Sequence, residues 1–165
     1  MRVFLNPPEN EPDSEAFIRP QQRFADVLVS FMPPETNGTG DPAHRDAELI
    51  LRDDLPHPDL TPFVQDGPGG LTLLERGRER VLRIPGHIDP DSAAAVEEAI
   101  WERMHFATHL RAGRLGEFAI GTDLHRSESL ALVQLLLLYH LVTAGATVAL
   151  GGAGARSADR VRVLT

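Results

Sequence analysis

The chain has 165 residues and a formal net charge of −8, and it contains neither Cys nor Lys. These absences exclude a thiol nucleophile, a disulfide framework, a Cys-ligated metal, a Schiff-base lysine and a P-loop lysine. The acidic balance and the 5% aromatic content argue against binding to nucleic acid, whereas 42% hydrophobic residues suffice for one core. Because all 16 basic residues are Arg, we infer a GC-rich genome and expect a bacterial protein.

Composition divides the chain near residue 68. Residues 1–68 hold 13 acidic residues, 5 Arg and 11 of the 13 Pro, so the whole net charge of −8 lies there. Residues 69–165 hold 11 acidic residues and 11 Arg and are neutral. We therefore predict an acidic, Pro-rich N-terminal segment over 1–68, followed by an α/β domain over 69–165.

The N-terminal segment contains one predicted helix, over residues 20–32. Pro20 fits its first turn and Pro33 would end it. Apolar residues between them recur with the i, i+3, i+4, i+7 spacing of an amphipathic helix: Phe24, Val27, Leu28 and Phe31. Further along, Ala47–Leu51 is a predicted short strand.

Strands and helices are predicted to alternate in the C-terminal domain. In chain order we expect strands at Leu71–Glu75 and Arg80–Ile84, followed by a helix from Asp89 or Asp91 to about Leu110. A strand at Glu117–Thr122 comes next, and then a helix over Glu128–Ala144 that Ser127 caps and Gly145 ends. The last expected elements are a strand at Thr147–Leu150 and a short helix or strand over Ser157–Thr165. A hairpin followed by helix–strand–helix–strand predicts an α/β fold with a small mixed β-sheet.

A run of 27 residues without a charge, Ser129–Ala155, is long enough for a membrane span. We favour a buried helix followed by a buried strand, because Gly145 and the glycine-rich residues 151–154 interrupt the run. No signal peptide is visible in residues 1–8, so we expect a cytoplasmic protein for which a membrane association is not expected.

One cluster has the residue types of a metal site. Glu102, His105 and His109 would lie on one face of the predicted helix, where two imidazoles can share a metal. A di-iron site, however, needs a second Glu-x-x-His and further carboxylates on neighbouring helices. We therefore expect a solvated, ion-paired face and no cofactor.

Three segments over residues 71–165 resemble the STAS domain family, whose best-known members are the anti-sigma factor antagonists. The predicted hairpin ends in Pro85-Gly86-His87-Ile88-Asp89, which is similar to the Gly-x-x-Asp before the family's first helix. Ser127–Val133 begins a hydrophobic helix where the family carries Asp-Ser-x-Gly-Leu, and Ala144–Leu150 resembles its helix end, Gly and strand. The resemblance implies a STAS-like α/β fold and a regulatory function.

The resemblance would place the family's phosphorylatable serine at Ser127. Arg126 stands where the family has Asp, and Ser129 stands where it has Gly. A member without that switch is expected to be a scaffold or docking module.

We therefore expect a non-enzymatic protein-interaction module, regulatory or scaffolding, that binds another protein and is able to form a homo-oligomer. The contact surface would be the acidic N-terminal arm or the loop before helix 128–144, with these residues: Asp123, His125, Arg126, Ser127 and Ser129. The alternative is an enzyme or enzyme-complex subunit of another α/β fold, with a site around His105 and His109 or around Asp123 and His125.

Overall fold

The computed structural model describes residues 3–5, 19–33, 44–52, 56–65, 67, 69–111 and 113–149. It is an α/β structure with a five-stranded sheet and a separate two-stranded sheet. The strands are β1 (Val3–Leu5), β2 (Val27–Met32), β3 (Asp46–Arg52), β4 (Thr72–Arg76), β5 (Glu79–Ile84), β6 (Glu117–Ile120) and β7 (Asp123–Arg126), and the α-helices are α1 (Pro90–Arg103) and α2 (Glu128–Ala149).

The large sheet has the strand order β1-β2-β3-β5-β4. β1 runs parallel to β2, and every other neighbouring pair is antiparallel. The mixed sheet was predicted within residues 69–165, but of that segment only β4 and β5 belong to this sheet, and those two strands are antiparallel. The predicted strands at Ala47–Leu51, Leu71–Glu75 and Arg80–Ile84 correspond to β3, β4 and β5. The Gly77 turn between β4 and β5 needs the positive φ of 63° that glycine adopts readily.

Both α-helices pack against one face of this sheet. Alternate residues of β3 are buried in that core, which gives the strand its period-2 pattern: Ala47, Leu49 and Leu51. The helices contribute the apolar residues that cover them: Val96, Ile100, Trp101, Leu132, Leu135 and Leu136. Each helix begins as predicted, since Asp89 accepts a bond from the Ser92 amide (2.9 Å) and Ser127 Oγ accepts one from the Leu130 amide (3.3 Å).

The predicted helix over 20–32 is wrong. Residues Arg19–Phe24 form a 3₁₀ turn, and Val27 begins a strand. Val27 and Val29 are buried whereas Leu28 and Ser30 between them are only half-buried, which is strand alternation. The helical spacing was coincidental, and pairing of this β-branched segment with β3 stabilises the extended form.

The predicted break at Gly145 is also wrong. α2 continues through it to Ala149, so Thr147 and Val148 are helical rather than part of a strand. Gly145 does not adopt a positive φ, and Thr147 Oγ1 donates to the Thr143 carbonyl (2.9 Å), as expected inside a helix. The predictions for 151–154 and 157–165 lie outside the described residues.

α1 ends earlier than predicted. It stops at Arg103, because Met104 leaves the helical region (φ −103°, ψ 28°), and a 3₁₀ segment follows over His105–Leu110. The predicted strand at Glu117–Thr122 exists as β6, but it pairs with β7 and not with the large sheet.

The change in composition near residue 68 does not divide the sheet. β2 and β3 come from the acidic segment, and β3 lies directly beside β5 of the neutral segment. The Glu48 carboxylate accepts a bond from Arg83 across this junction (2.8 Å). The described strands of both segments therefore share one sheet and one core.

Candidate functional site

The β6–β7 hairpin stands directly before α2, and two backbone contacts hold its base. Gly116 accepts a bond from the Ser127 amide (3.0 Å) and donates one to the side chain of Gln134 on α2 (2.8 Å). Gly116 has a φ of 79°, and a Cβ at this position would lie 2.3 Å from the Ser127 carbonyl oxygen. Only glycine fits there, so the chain enters the hairpin from a fixed position.

Two of the predicted contact residues, Ser127 and Ser129, are buried. Ser127 Oγ caps α2 and lies 3.0 Å from Ser129 Oγ, which donates to the Arg45 carbonyl (2.7 Å). These hydroxyls join the start of α2 to the residue before β3. They serve the fold and offer a partner little surface.

Arg126 anchors the base of the hairpin to both helices. Its guanidinium lies 3.1 Å from Glu128 of α2 and 3.8 Å from Glu97 of α1. Burial raises the pKa of the Glu97 carboxyl, an effect that Arg126 opposes and Glu128 reinforces. The ion pairs of Arg126 thus connect β7 to both helices, and two carboxylates surround one guanidinium there.

The two other predicted residues, His125 and Asp123, lie on one face of the hairpin. His125 stacks on its cross-strand partner Phe118, with ring centroids 5.6 Å apart. Asp123 is exposed opposite Ile120, at the end of β7 nearest the turn. The structure therefore brings Asp123 and His125 to the same face, with the imidazole already engaged by an aromatic ring.

The feature missed from the sequence is the apolar end of the hairpin. Leu124 is 70% exposed and Ile120 is 41% exposed, and their positions on the two strands place them on opposite faces. Residues Ile120–Leu124 are called the hairpin tip below. The sequence does contain a signal for this hairpin. Two segments that each carry an apolar residue are joined by the two-residue turn Gly121-Thr122, in which the glycine has a φ of 62°.

A second ion pair lies near the hairpin base on α1. Arg111 donates to Glu98, and its guanidinium also lies 5.9 Å from the Trp101 ring. This hydrogen bond lowers the pKa of the Glu98 carboxyl and raises that of the guanidinium. The pair ties the segment after the 3₁₀ turn back onto α1.

The three candidate metal ligands do not share one helix face. Glu102 lies on α1, whereas His105 and His109 lie in the 3₁₀ segment beyond the end of that helix, and all three are exposed. A non-helical residue, Ala107, separates the two histidines. Across the described residues, no group of three or more His, Asp or Glu side chains is placed to hold a metal ion.

A buried imidazole pair lies away from the hairpin. His140 of α2 is 1% exposed, and its Nε2 lies 3.4 Å from Nδ1 of His57. His57 Nε2 lies 2.8 Å from the Arg52 carbonyl, which only accepts, so this nitrogen carries a proton. In the neutral pair, His57 Nδ1 then accepts from His140 Nε2–H.

This arrangement leaves Nδ1 of His140 as the site of any further proton. That atom is buried with no hydrogen-bond partner among the described residues. Burial, reinforced by the neighbouring His57, lowers the pKa of His140 to about 4, with a weaker opposing effect from the Pro56 backbone. His140 is therefore neutral near pH 7, and its contact with His57 has the properties of a structural contact.

α2 is long and apolar enough to cross a membrane by length and composition alone, and 39% of the relevant stretch is buried within the protein. No family model matches the chain, and a search of curated proteins finds no relative. The resemblance to the STAS domain family therefore stays a hypothesis.

Proposed function

We propose that the protein is a regulatory or scaffolding module that binds another protein through the hairpin tip. The observation that carries the proposal is the 70% exposure of Leu124, with Ile120 exposed on the opposite face. A large apolar side chain on each face of a narrow hairpin suits insertion into a cleft. The partner would contact both faces at once.

The base of the hairpin supports this role because specific contacts join it to the helices. Gly116, Gln134 and Arg126 fix the base to α2 and α1 before any partner arrives. Binding would then require little ordering of the backbone, which lowers the entropic cost of association. The residues that hold the base of the hairpin are different from those exposed at the hairpin tip.

Charge defines the partner further. Asp123 is exposed at the tip, and at the base Glu97 of α1 and Glu128 of α2 surround the single guanidinium of Arg126 with two carboxylates. The matching surface is an apolar cleft with Arg or Lys at its mouth. An apolar centre with a polar rim is the usual anatomy of a protein interface.

A matched pair of variants tests the proposal. Leu124→Asp places a charge on the tip, and Leu141→Asp places the same charge on another exposed leucine, on α2. The wild-type chain and both variants are used to capture proteins from cell extract, and the affinity of each captured protein is measured after purification. We expect one partner that binds the wild type and Leu141→Asp equally, and Leu124→Asp at least about 30-fold more weakly.

The expected complex also weakens as salt is raised, because part of its attraction is between charges. Equal binding of the partner by both variants would contradict the proposal, as would the absence of any protein specific to the wild-type chain.

A further inference from the structure

β4 forms one outer edge of the five-stranded sheet. The strand contains no Pro, its two charged residues are Glu75 and Arg76 at its end, and its central Leu74 is 47% exposed. Among the described residues, the bridge between Val64 and Leu71 lies on this edge just before β4 begins. An accessible strand edge of this kind can accept another strand.

The contact with Gln65 shows which backbone groups of β4 point outward. The Gln65 amide donates to the Leu71 carbonyl (3.1 Å), so the groups of Leu71 face away from β5. Backbone direction alternates along a strand, so Leu73 and Glu75 also point outward. Thr72, Leu74 and Arg76 direct their backbone groups toward β5.

The face of the sheet opposite the helices carries a continuous apolar row. In the sheet register, Leu28 lies beside Ile50, Ile50 beside Val81, and Val81 beside Leu74. Val81 is 0% exposed, Leu28 and Ile50 are half-buried, and Leu74 is 47% exposed, so the row is open at its Leu74 end. That end lies on the outer edge of the described sheet.

Charged pairs border this row along both sides. Arg83 donates to Glu48 on one side (2.8 Å), and Arg52 lies 3.9 Å from Glu79 on the other. The charges near the row are therefore largely neutralised within the sheet, and Arg76 is the basic residue that β4 presents at the edge.

We propose that β4 pairs antiparallel with β4 of a second copy of this chain, around a two-fold axis at Leu74. Leu74 then lies opposite the partner's Leu74, so that the two exposed leucines cover each other. Leu73 lies opposite the partner's Glu75, so the outward backbone groups meet and exchange hydrogen bonds. Arg76 lies opposite the partner's Thr72, so no like charges face each other.

The chain on either side of β4 selects this register. Val64 and Gln65 already occupy the edge at Leu71, so a partner strand cannot extend past Thr72 in that direction. The partner strand also ends there, because its turn at Gly77 leads away toward its own β5. Of the registers that keep side chains on matching faces, only the one centred on Leu74 pairs all of Thr72–Arg76.

A single cysteine tests the axis, because the chain has no cysteine of its own. Directly opposite residues in a pair without mutual hydrogen bonds have Cα atoms about 4.5 Å apart, within the range of a disulfide. We expect Leu74→Cys to form a covalent dimer under mild oxidation, at least about tenfold faster than Thr72→Cys.

Two further cysteine variants provide the matched control. Thr72 and the partner's Thr72 would be separated by four residues along the strand, about 14 Å, so Thr72→Cys alone does not cross-link. A mixture of Thr72→Cys and Arg76→Cys does cross-link, because these positions lie opposite each other. Equal rates for Leu74→Cys and Thr72→Cys would overturn the proposal.

Sedimentation of the chain without added cysteines gives an independent test. We expect a dimer at about 100 μM, and a Kd at least about tenfold higher for Glu75→Pro, which removes an outward amide and leaves the bonds to β5 intact. A wild-type monomer at that concentration would overturn the proposal. The pairing does not involve the hairpin tip, so Leu124→Asp should leave it unchanged and the two proposals can fail separately.

Discussion

After Glu128, which begins the helix, both halves of α2 lack Asp, Glu and Arg, yet they differ in burial. From Ser129 to His140 the helix contributes buried residues throughout, whereas Leu141 is 60% exposed and no described side chain from 141 to 148 is fully buried. The difference comes from the sheet and α1, which fully bury residues of the first half, whereas Val142 of the second half packs against this core only partly buried. Hydrophobic composition therefore indicates what a helix is able to bury, and packing decides which part is buried.

This contrast also bears on the membrane question. A span would need most of α2 to face lipid, but its first half fills the space between α1 and β3. Removing that half from the core would expose the buried faces of both elements to water, which opposes such a change. The first half of α2 thus acts as a core helix.

The largest expected effect is the loss of stability when a buried leucine in the first half of α2 is truncated. Leu136→Ala deletes a side chain with 0% exposure and leaves a cavity, so we expect a loss of about 2–5 kcal/mol in the free energy of unfolding. Leu141→Ala makes the same chemical change in the exposed half and should alter that free energy by less than about 0.5 kcal/mol. Urea denaturation measures both variants. Equal losses would show that the two halves are packed alike.

A smaller effect concerns His140, at the boundary between the halves. Its pKa is about 4 in the folded chain and about 6.5 when unfolded, so the unfolded chain binds the extra proton between these values. Stability is therefore greatest above about pH 6.5 and falls as the pH is lowered toward 4. The expected loss is about 2 kcal/mol at pH 5.

Comparison with His140→Gln isolates this contribution from the other titrating groups. Urea denaturation of both chains at pH 7 and pH 5 should show a smaller acid-dependent loss for the variant. The same loss in both chains would place the pH dependence elsewhere.

The smallest expected effect is a gain of stability from a substitution in the second half of α2. Gly145 is helical and a Cβ there would meet no atom within 4 Å, so Gly145→Ala should stabilise the protein by about 0.5–1 kcal/mol. Gly116→Ala is the matched contrast, because its positive φ and close contact with Ser127 predict destabilisation. Thermal unfolding shows whether each substitution raises or lowers the stability of the protein. A destabilised Gly145→Ala would indicate that α2 breaks there, as the sequence alone suggested.

Local signals were sufficient for the parts of the fold that depend on neighbours in sequence. The β4–β5 hairpin follows from the turn at Gly77, and the caps at Asp89 and Ser127 mark the starts of both helices. The errors over 20–32 and after Gly145 have one cause. Several local patterns are compatible with either structure, and contacts from distant residues decide between them.

The exposed end of the β6–β7 hairpin was not predicted, because its exposure also depends on contacts between distant residues. The polar residues Asp123, His125 and Arg126 indicated the segment that the structure folds into β7, but a single leucine between them carries no signal of exposure in a sequence. Only the pairing of β6 with β7, apart from the large sheet, shows that Leu124 has no core to enter. The burial of Ser127 and Ser129 likewise depends on Arg45, more than 80 residues away.

The position of β3 beside β5 has a consequence for synthesis of the chain. Glu48 and Arg83 are 35 residues apart, so β2 and β3 are translated well before the strand that completes their side of the sheet. Until then their apolar residues lack both β5 and the helices that cover them. The nascent segment that waits in this state is also the one that carries the whole surplus of negative charge. Like charges on such nascent segments repel each other, which opposes their association.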